Sequence, residues 1–316
     1  MKVTEHLDKA KTPFVSFEIL PLSRGGDINM LFGLIEKLIK YNPPFIDVTS
    51  HSSEVQFEET PGGIRKKVKR KRPGTIGICV AIKNKFNIDT VPHILCNGFT
   101  REETEDALIE LNYLGIENVL AIKGDESGYK KPVPEGRTSN LYAIDLVNQI
   151  VRMNNGKYLE EELLDASPTK FCIGVSGYPE KHFESPNLKS DIKYLKDKVD
   201  AGAHYIVTQM FFNNQYYFEF VKLCREAGIT VPIIPGLKIL TSKSHLNVIP
   251  KTFFVDLPEE LSGQISESAP EHVADIGVEW ALKQCEELLG NGAPSLHFYI
   301  MHNPKPIQRV LDRLKL

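Results

Sequence analysis

Short apolar segments recur along the chain, and a segment with helical periodicity follows each of them. Each apolar segment is nearly continuous in its hydrophobic content, which is typical of parallel strands that are buried on both faces. The predicted strands are Phe14–Ile19, Phe45–Thr49, Val91–Cys96, Asn118–Ile122, Phe171–Val175, Tyr205–Gln209, Val231–Ile234 and Leu296–Tyr299.

The clearest predicted helix is Thr100–Gly115, where Thr100 and Glu103 have capping-box spacing and Gly115 is a C-terminal stop. The segment Thr75–Lys85 is ambiguous, because its β-branched residues favour a strand whereas its length favours a helix. If it is a helix, every predicted strand is followed by a helix. The other predicted helices are Asp27–Tyr41, Tyr142–Asn155, Leu188–Ala201, Asn213–Ala227, His272–Leu289 and Pro306–Leu314.

Eight alternating strand–helix units in 316 residues predict an α/β fold of the (β/α)8 TIM-barrel type, with residues 1–316 forming a single domain. The alternative is a doubly wound parallel sheet. No GxGxxG motif follows any predicted strand, so the usual dinucleotide fingerprint of that fold is missing.

Composition and charge exclude several classes of protein. The formal net charge is −3, so no overall positive field attracts nucleic acid or a membrane surface. The N-terminus lacks the apolar stretch of a secretory signal, and no apolar window is long enough to span a bilayer. The five cysteines have no CxxC spacing, which predicts neither a disulfide framework nor a metal site and favours a cytoplasmic protein. One basic run, residues 65–72, is interpreted as a solvated helix or loop face, and the alternative is a contact for nucleic acid or for a flavin phosphate.

Three polar residues stand at predicted strand ends, where (β/α)8 barrels carry their chemistry. Glu18 ends an apolar strand, so it is either a salt-bridged structural residue or a proton donor whose pKa burial raises. Asp125 follows a glycine, which permits a planar ligand to approach the backbone; an Asx turn is the alternative. Gln209 can donate and accept at a heterocycle edge, or can satisfy backbone groups at the barrel mouth.

Several of these strand ends, in this order, resemble the methylenetetrahydrofolate reductase family. The resemblance covers nearly the whole chain. Its segments are FEILP from Phe17, the VPHILC strand, KGD from Lys123, YPEKH at 178–182, KVDAGAHYIVTQMFF at 198–212, PIIPG at 232–236 and LHFY at 296–299.

The resemblance implies a barrel that holds FAD non-covalently at the carboxyl ends of its strands. It implies reduction of 5,10-methylenetetrahydrofolate to 5-methyltetrahydrofolate for methionine synthesis, with NAD(P)H reducing the flavin before the folate takes its place. Glu18 then matches the general acid, Asp125 the acid near the flavin that also stabilises a cationic folate, and Gln209 a residue that hydrogen-bonds the pterin. The positions that match FAD-lining residues are Thr49, His93, Lys123, Gly124, Asp125, Tyr178, His182, Asp191 and Lys198.

Three positions depart from the family pattern. Lys123 stands where the family often has Arg, His245 where some relatives have Gln facing nicotinamide or folate, and Asn303 where an Arg often follows the last strand. His245 is therefore retained as a candidate substrate-binding residue. The chain also ends soon after the last unit, so we expect no regulatory domain, and the family suggests a homo-oligomer.

Two other functions are compatible with a barrel. A Schiff-base aldolase or lyase would use Lys198 or Lys238 and requires a desolvated lysine with a low pKa. A non-catalytic barrel subunit of a larger oxidoreductase is the other alternative, although the acidic strand ends Glu18 and Asp125 speak against it.

Overall fold

Nine parallel strands form the wall of a barrel, with helices on its outside, as the alternating sequence pattern predicts. The structure is a computed structural model that describes residues 1–70, 72, 74–124, 131–163, 165–300 and 303–314. The strands are β1 Phe14–Ile19, β2 Phe45–Val48, β3 Glu54–Thr60, β4 Gly63–Lys69, β5 Asp89–Leu95, β6 Asn118–Ile122, β7 Cys172–Gly177, β8 Tyr205–Thr208, β9 Ile233–Ile234, β10 Gly236–Leu237 and β11 Ser295–Ile300.

The barrel wall runs in the order β10-β11-β1-β2-β5-β6-β7-β8-β9, and every neighbouring pair in it is parallel. β9 and β10 occupy the seventh of the eight barrel positions and are separated by Pro235. Proline has no N–H to donate, so the ladder changes partner there: β9 pairs with β8, and β10 pairs with β11. The prediction of a (β/α)8 barrel is confirmed.

The helices alternate with the barrel strands. They are α1 Val3–Lys9, α2 Ile28–Glu36, α3 Thr75–Phe86, α4 Arg101–Tyr113, α5 Ala143–Asn154, α6 Leu188–Asp200, α7 Asn214–Glu226, α8 His245–Phe253, α9 Glu259–Glu267, α10 Val273–Gly290 and α11 Lys305–Leu311, with 3-10 turns at Ile39–Tyr41 and Pro270–His272. The ambiguous segment is helix α3. The capping box predicted for α4 is present, since Thr100 Oγ1 accepts from the Glu103 N–H at 3.2 Å and Glu103 Oε2 accepts from the Thr100 N–H at 2.9 Å.

Two apolar layers hold the barrel together, one between the sheet and the helices and a smaller one inside the barrel. Helix α1, which the hydrophobic pattern did not predict, contributes Val3 to the inner layer. The Val3 N–H donates to Asn118 Oδ1 at 2.8 Å, at the start of β6, so α1 covers the end of the barrel where the strands begin. The opposite end, where the strands finish, is the one that carries the polar residues.

The basic run is neither a helix nor a loop face. Most of it forms β4, which pairs with β3 in an antiparallel hairpin that leaves the barrel after β2. The strand is exposed throughout, so its charges are solvated as expected, but the backbone is extended. Helices α8 and α9 are further additions that the pattern did not predict. In the part of the chain that the structure describes, no helix has the length and apolar content needed to cross a membrane.

Candidate active site

A carboxyl–imidazole cluster of Glu18, Asp47 and His93 lies at the carboxyl end of the barrel interior. Glu18 and Asp47 are direct register partners on β1 and β2, so their side chains leave the sheet on the same side. His93, near the end of β5, presents Nε2 to both acids, at 3.5 Å from Glu18 Oε2 and 3.4 Å from Asp47 Oδ2. The side chain of Glu18 keeps 18% exposure, whereas that of Asp47 keeps 1%. Glu18 is thus the member of the cluster that a substrate can reach.

Burial decides the charge state of the two inner members. It raises the pKa of the Asp47 carboxyl well above its ordinary value, because water no longer solvates the anion. It lowers the pKa of His93, an effect that the nearby Glu18 carboxylate partly opposes. Both carboxyl oxygens of Asp47 and Nε2 of His93 are buried without a hydrogen-bond partner at ordinary distance. A neutral acid beside a neutral imidazole is therefore the favoured state.

A lysine also lies near Glu18. Lys238 follows β10, and its Nζ donates to the Tyr299 carbonyl at 3.1 Å. Burial lowers the pKa of Lys238 to about 8, and the Glu18 carboxylate opposes the shift. His245, at the start of α8, accepts from the Thr241 N–H through Nδ1 at 3.2 Å, and burial together with the Lys238 charge lowers its pKa. His245 therefore belongs to the same end of the barrel as Glu18.

A second group of predicted residues meets between β7 and α6. The rings of Tyr178 and His182 make an edge contact with centroids 4.6 Å apart. Asp191 is held by two donors, the His182 N–H at 3.0 Å and Ser185 Oγ at 2.8 Å. Lys198 Nζ donates to the Ser176 carbonyl at 2.8 Å, and burial lowers the pKa of this lysine to about 8 although Asp191 opposes the shift. These contacts place an ammonium and two aromatic faces beside each other.

The remaining predicted residues surround these two groups. Lys123 forms an ion pair with Glu184 and lies over the Tyr142 ring, with Nζ 5.2 Å from its centroid. Gly124 has φ +85°, and a Cβ added there would meet Leu95 at 3.3 Å.

Two predicted residues follow strands directly. The Thr49 N–H donates to the Ile19 carbonyl at 3.1 Å, next to Glu18. Gln209 directly follows β8. Its N–H donates to the Gly177 carbonyl at 2.8 Å, and its Oε1 accepts from the Met210 N–H at 2.9 Å. Asp125 lies outside the described residues.

Two buried residues of this end escaped the sequence reasoning. Asp47 stands inside a four-residue apolar strand, and an acid in such a strand is itself the signal that could have found it. His297, on β11, pairs its Nδ1 with Ser16 Oγ at 2.8 Å, and burial lowers its pKa to about 3. In the sequence His297 is one polar residue within an apolar segment, and only the closed barrel brings it to β1.

Comparison with known proteins shows the family of the chain. The family model described as methylenetetrahydrofolate reductase matches residues 2–315. The chain belongs to the methylenetetrahydrofolate reductase family. Methylenetetrahydrofolate reductase 1 of Schizosaccharomyces pombe is 30% identical over 327 residues, which cover 100% of this chain and 49% of that protein. The 5,10-methylenetetrahydrofolate reductase of Salmonella typhimurium is 28% identical over 291 residues, covering 91% of this chain and 86% of its own length. The chain thus spans about half the length of the eukaryotic relatives that it matches.

Solved structures support the fold independently of the family. An uncharacterised Clostridium thermocellum protein, described as binding two copies of 5-methyl-5,6,7,8-tetrahydrofolic acid, superimposes with a TM-score of 0.57 at 12% identity. The superposition covers 98% of this chain and 96% of that one. At this identity the likeness establishes the barrel fold alone.

Proposed function

We propose that this barrel reduces 5,10-methylenetetrahydrofolate to 5-methyltetrahydrofolate with NAD(P)H as the electron source and bound FAD as the hydride carrier. The observation that carries the proposal is the match to the family model over residues 2–315. The position of Glu18 supports it, because the reaction needs a proton donor and this carboxyl is the accessible member of the cluster at the barrel mouth.

The residues at the mouth fit a flavin dinucleotide. Gly124 has a left-handed backbone conformation packed against Leu95, and it carries no side chain that would stand in the way of a planar ring. Lys123 and Lys198 supply positive charge for a diphosphate, and Tyr178 with His182 supplies aromatic faces. When bound, FAD accepts hydride from NAD(P)H and delivers it to the folate after the nicotinamide has left, a ping-pong sequence.

The chain's own residues handle the proton, the charge and the orientation. Glu18 protonates N10 of the folate, which opens the five-membered ring and leaves an electrophilic iminium at N5. Asp125, as a fixed anion, stabilises that cation. Gln209 holds the pterin edge with an amide that both donates and accepts, and His245 contributes to binding of the folate or nicotinamide. Glu18 and Asp125 thus divide the work between one proton donor and one permanent anion.

The proposal also covers the domain, the substrates, the use of the product, the cellular compartment and the assembly of the protein. Residues 1–316 act as a single FAD-binding catalytic barrel, its substrates are 5,10-methylenetetrahydrofolate and NAD(P)H, and its product supplies methyl groups for methionine synthesis. Five buried cysteine thiols agree with a reducing cytoplasm. The family suggests assembly as a homo-oligomer.

One observation favours the Schiff-base alternative, since burial lowers the pKa of both Lys198 and Lys238 to about 8. Each ammonium, however, already donates to a backbone carbonyl at the barrel mouth, and the family match favours a reductase. We therefore expect no lysine adduct when the protein is treated with borohydride and small carbonyl compounds.

The test is the visible spectrum followed by two anaerobic titrations. The purified protein supplied with FAD should be yellow, should bleach with NADH or NADPH, and should regain its colour when 5,10-methylenetetrahydrofolate is added. Product analysis should find 5-methyltetrahydrofolate in an amount equal to the flavin reoxidised. A protein that binds no FAD, or whose reduced flavin ignores the folate, would overturn the proposal.

A further inference from the structure

Asp47 is a buried acid to which the proposed chemistry assigns no task. It is buried in β2, and among the residues that the structure describes neither carboxyl oxygen has a hydrogen-bond partner at ordinary distance. An isolated carboxylate in such a place strongly destabilises the fold, and a carboxylic acid with an unused O–H still loses its hydrogen bonds to water without replacement. Because a buried carboxyl group without a partner destabilises the fold, we expect Asp47 to have a specific partner.

Geometry supplies one candidate partner. The nearest basic atom is His93 Nε2, 3.4 Å from Asp47 Oδ2, and the same nitrogen is 3.5 Å from Glu18 Oε2. Both distances exceed an ordinary hydrogen bond by a few tenths of an ångström, a gap that catalytic hydrogen bonds in unliganded proteins often show. Because one nitrogen faces two acids, its protonation decides whether it donates a hydrogen bond to one of them or accepts one.

We propose that Asp47 is a positioning residue: as a neutral acid it donates a hydrogen bond to His93 Nε2, so that this nitrogen presents no N–H to Glu18, the Glu18 carboxylate is not stabilised, and Glu18 keeps the proton that the folate requires. The inference rests on the role proposed above for Glu18. The proposal specifies the tautomer of His93, in which Nε2 carries no hydrogen. If Nε2 carried a hydrogen, it would donate to Glu18 and stabilise the carboxylate, which is the wrong form of a general acid.

The other groups that face the cluster come from several elements. They are Cys79 on α3, Tyr205 on β8, His297 and Tyr299 on β11, and Lys238 after β10. Burial raises the pKa of the thiol and of both phenols and lowers that of His297, so all four are neutral near pH 7. Lys238 is the cation among these five, and its charge favours the Glu18 carboxylate. Retention of the Glu18 proton beside Lys238 therefore needs an opposing influence, which the Asp47–His93 pair provides.

The first test needs neither flavin nor folate. Nitrogen-15 NMR of the imidazole in the unliganded protein should show Nε2 of His93 without a hydrogen near pH 7. Asp47→Asn keeps a neutral N–H donor and should preserve this tautomer, whereas Asp47→Leu removes the donor and should place a hydrogen on Nε2. The component of the protonated-carboxyl infrared band that belongs to Asp47 should be present in the wild type and absent from both variants. A protonated Nε2 in the wild type would overturn the proposal.

The second test is the pH dependence of folate reduction, measured in single turnover with prereduced protein. The rate requires protonated Glu18 and falls as pH rises; Asp47→Leu should move this fall to lower pH by one unit or more, whereas Asp47→Asn should leave it in place. Equal shifts in both variants would mean that Asp47 is charged, and no shift in either would mean that it only fills space. Both results would overturn the proposal.

Tyr205→Phe is the matched control, because it deletes another buried hydroxyl without a partner from the same core. It should change neither the tautomer nor the pH profile. If the wild type fails to reduce folate at all, the proposed function fails, while the NMR result on His93 still decides whether Asp47 donates to it.

Discussion

Glu18 and Asp47 are register partners on adjacent parallel strands, so two carboxyl groups enter the barrel interior in one layer. Their environments differ sharply, since Glu18 reaches the mouth and Asp47 does not. Two acids of one layer are thereby separated into an accessible carboxyl and an inner neutral group. Such a division of carboxyls by environment is how one fold prepares an acid for work near neutral pH.

Glu18→Gln should separate the two half-reactions. NAD(P)H should still bleach the flavin, because hydride transfer from the nicotinamide needs no proton from Glu18, but folate reduction should slow by about 10²-fold or more. Stopped-flow absorbance under anaerobic conditions measures both rates. Glu58→Gln, on the exposed hairpin strand β3, is the control and should leave both unchanged. Equal slowing of the two half-reactions would show that Glu18 has another role.

Asp125→Asn should make the bound flavin easier to reduce. Removal of a negative charge near the flavin favours the anionic reduced form, and an increase on the order of 30 mV corresponds to about tenfold in a two-electron equilibrium. The same change should slow hydride delivery to the folate, since a more stable reduced flavin is a weaker donor and the cationic substrate loses its counter-ion. Spectroelectrochemical titration measures the potential. An unaltered potential would argue against an electrostatic role for this acid.

Gly124→Ala should destabilise the protein and weaken flavin binding. The position has φ +85°, and the new Cβ would press on Leu95, so we expect a loss of about 1–3 kcal/mol in the free energy of unfolding. Urea denaturation monitored by circular dichroism measures it. Gly33→Ala, inside α2 with open space around the new methyl group, should instead stabilise by about 0.5–1 kcal/mol. If the two variants behaved alike, the left-handed backbone at Gly124 would have no energetic consequence.

Glu180 should make stability fall as the solution becomes alkaline. Burial raises the pKa of its carboxyl to about 7, even though the Asp256 N–H donates to Oε2 at 2.7 Å. The folded state then holds a proton that the unfolded chain has already released, so its contribution is complete below about pH 4.5 and is lost as pH rises through 7. Glu180→Gln keeps an acceptor for the Asp256 N–H. Its free energy of unfolding should therefore exceed that of the wild type by more at pH 8 than at pH 5.

The check on Glu180 is a pair of urea titrations at the two pH values, with Glu58→Gln as the exposed control. The difference between the Gln variant and the wild type should grow from pH 5 to pH 8. A difference that is the same at both would mean that Glu180 titrates in the folded protein as it does in the unfolded chain.

Much of this protein can be read from local patterns. Each of the eight barrel positions was visible as an apolar run and most outer helices as a periodic stripe, because burial on both faces or on one face constrains residue type directly. The strand ends at Glu18, Lys123, Tyr178 and Gln209 were visible for the same reason, since a polar residue that closes an apolar run stands out. The hairpin that leaves the barrel after β2 was not visible in the sequence pattern. The hairpin β3–β4 looked like a charged surface run, because charge reports on solvation and not on backbone conformation.

The sequence by itself thus determined the alternation of strands and helices, the barrel class and several polar residues at the carboxyl ends of the strands. Only the tertiary structure decided which of those residues meet. Asp47 comes to Glu18 through the register of β1 and β2, His93 through the place of β5 next to β2, and His297 through the closure of the barrel at β11. These contacts join residues far apart along the chain. Pairing register and barrel closure depend on how the whole sheet packs, so no local pattern encodes them.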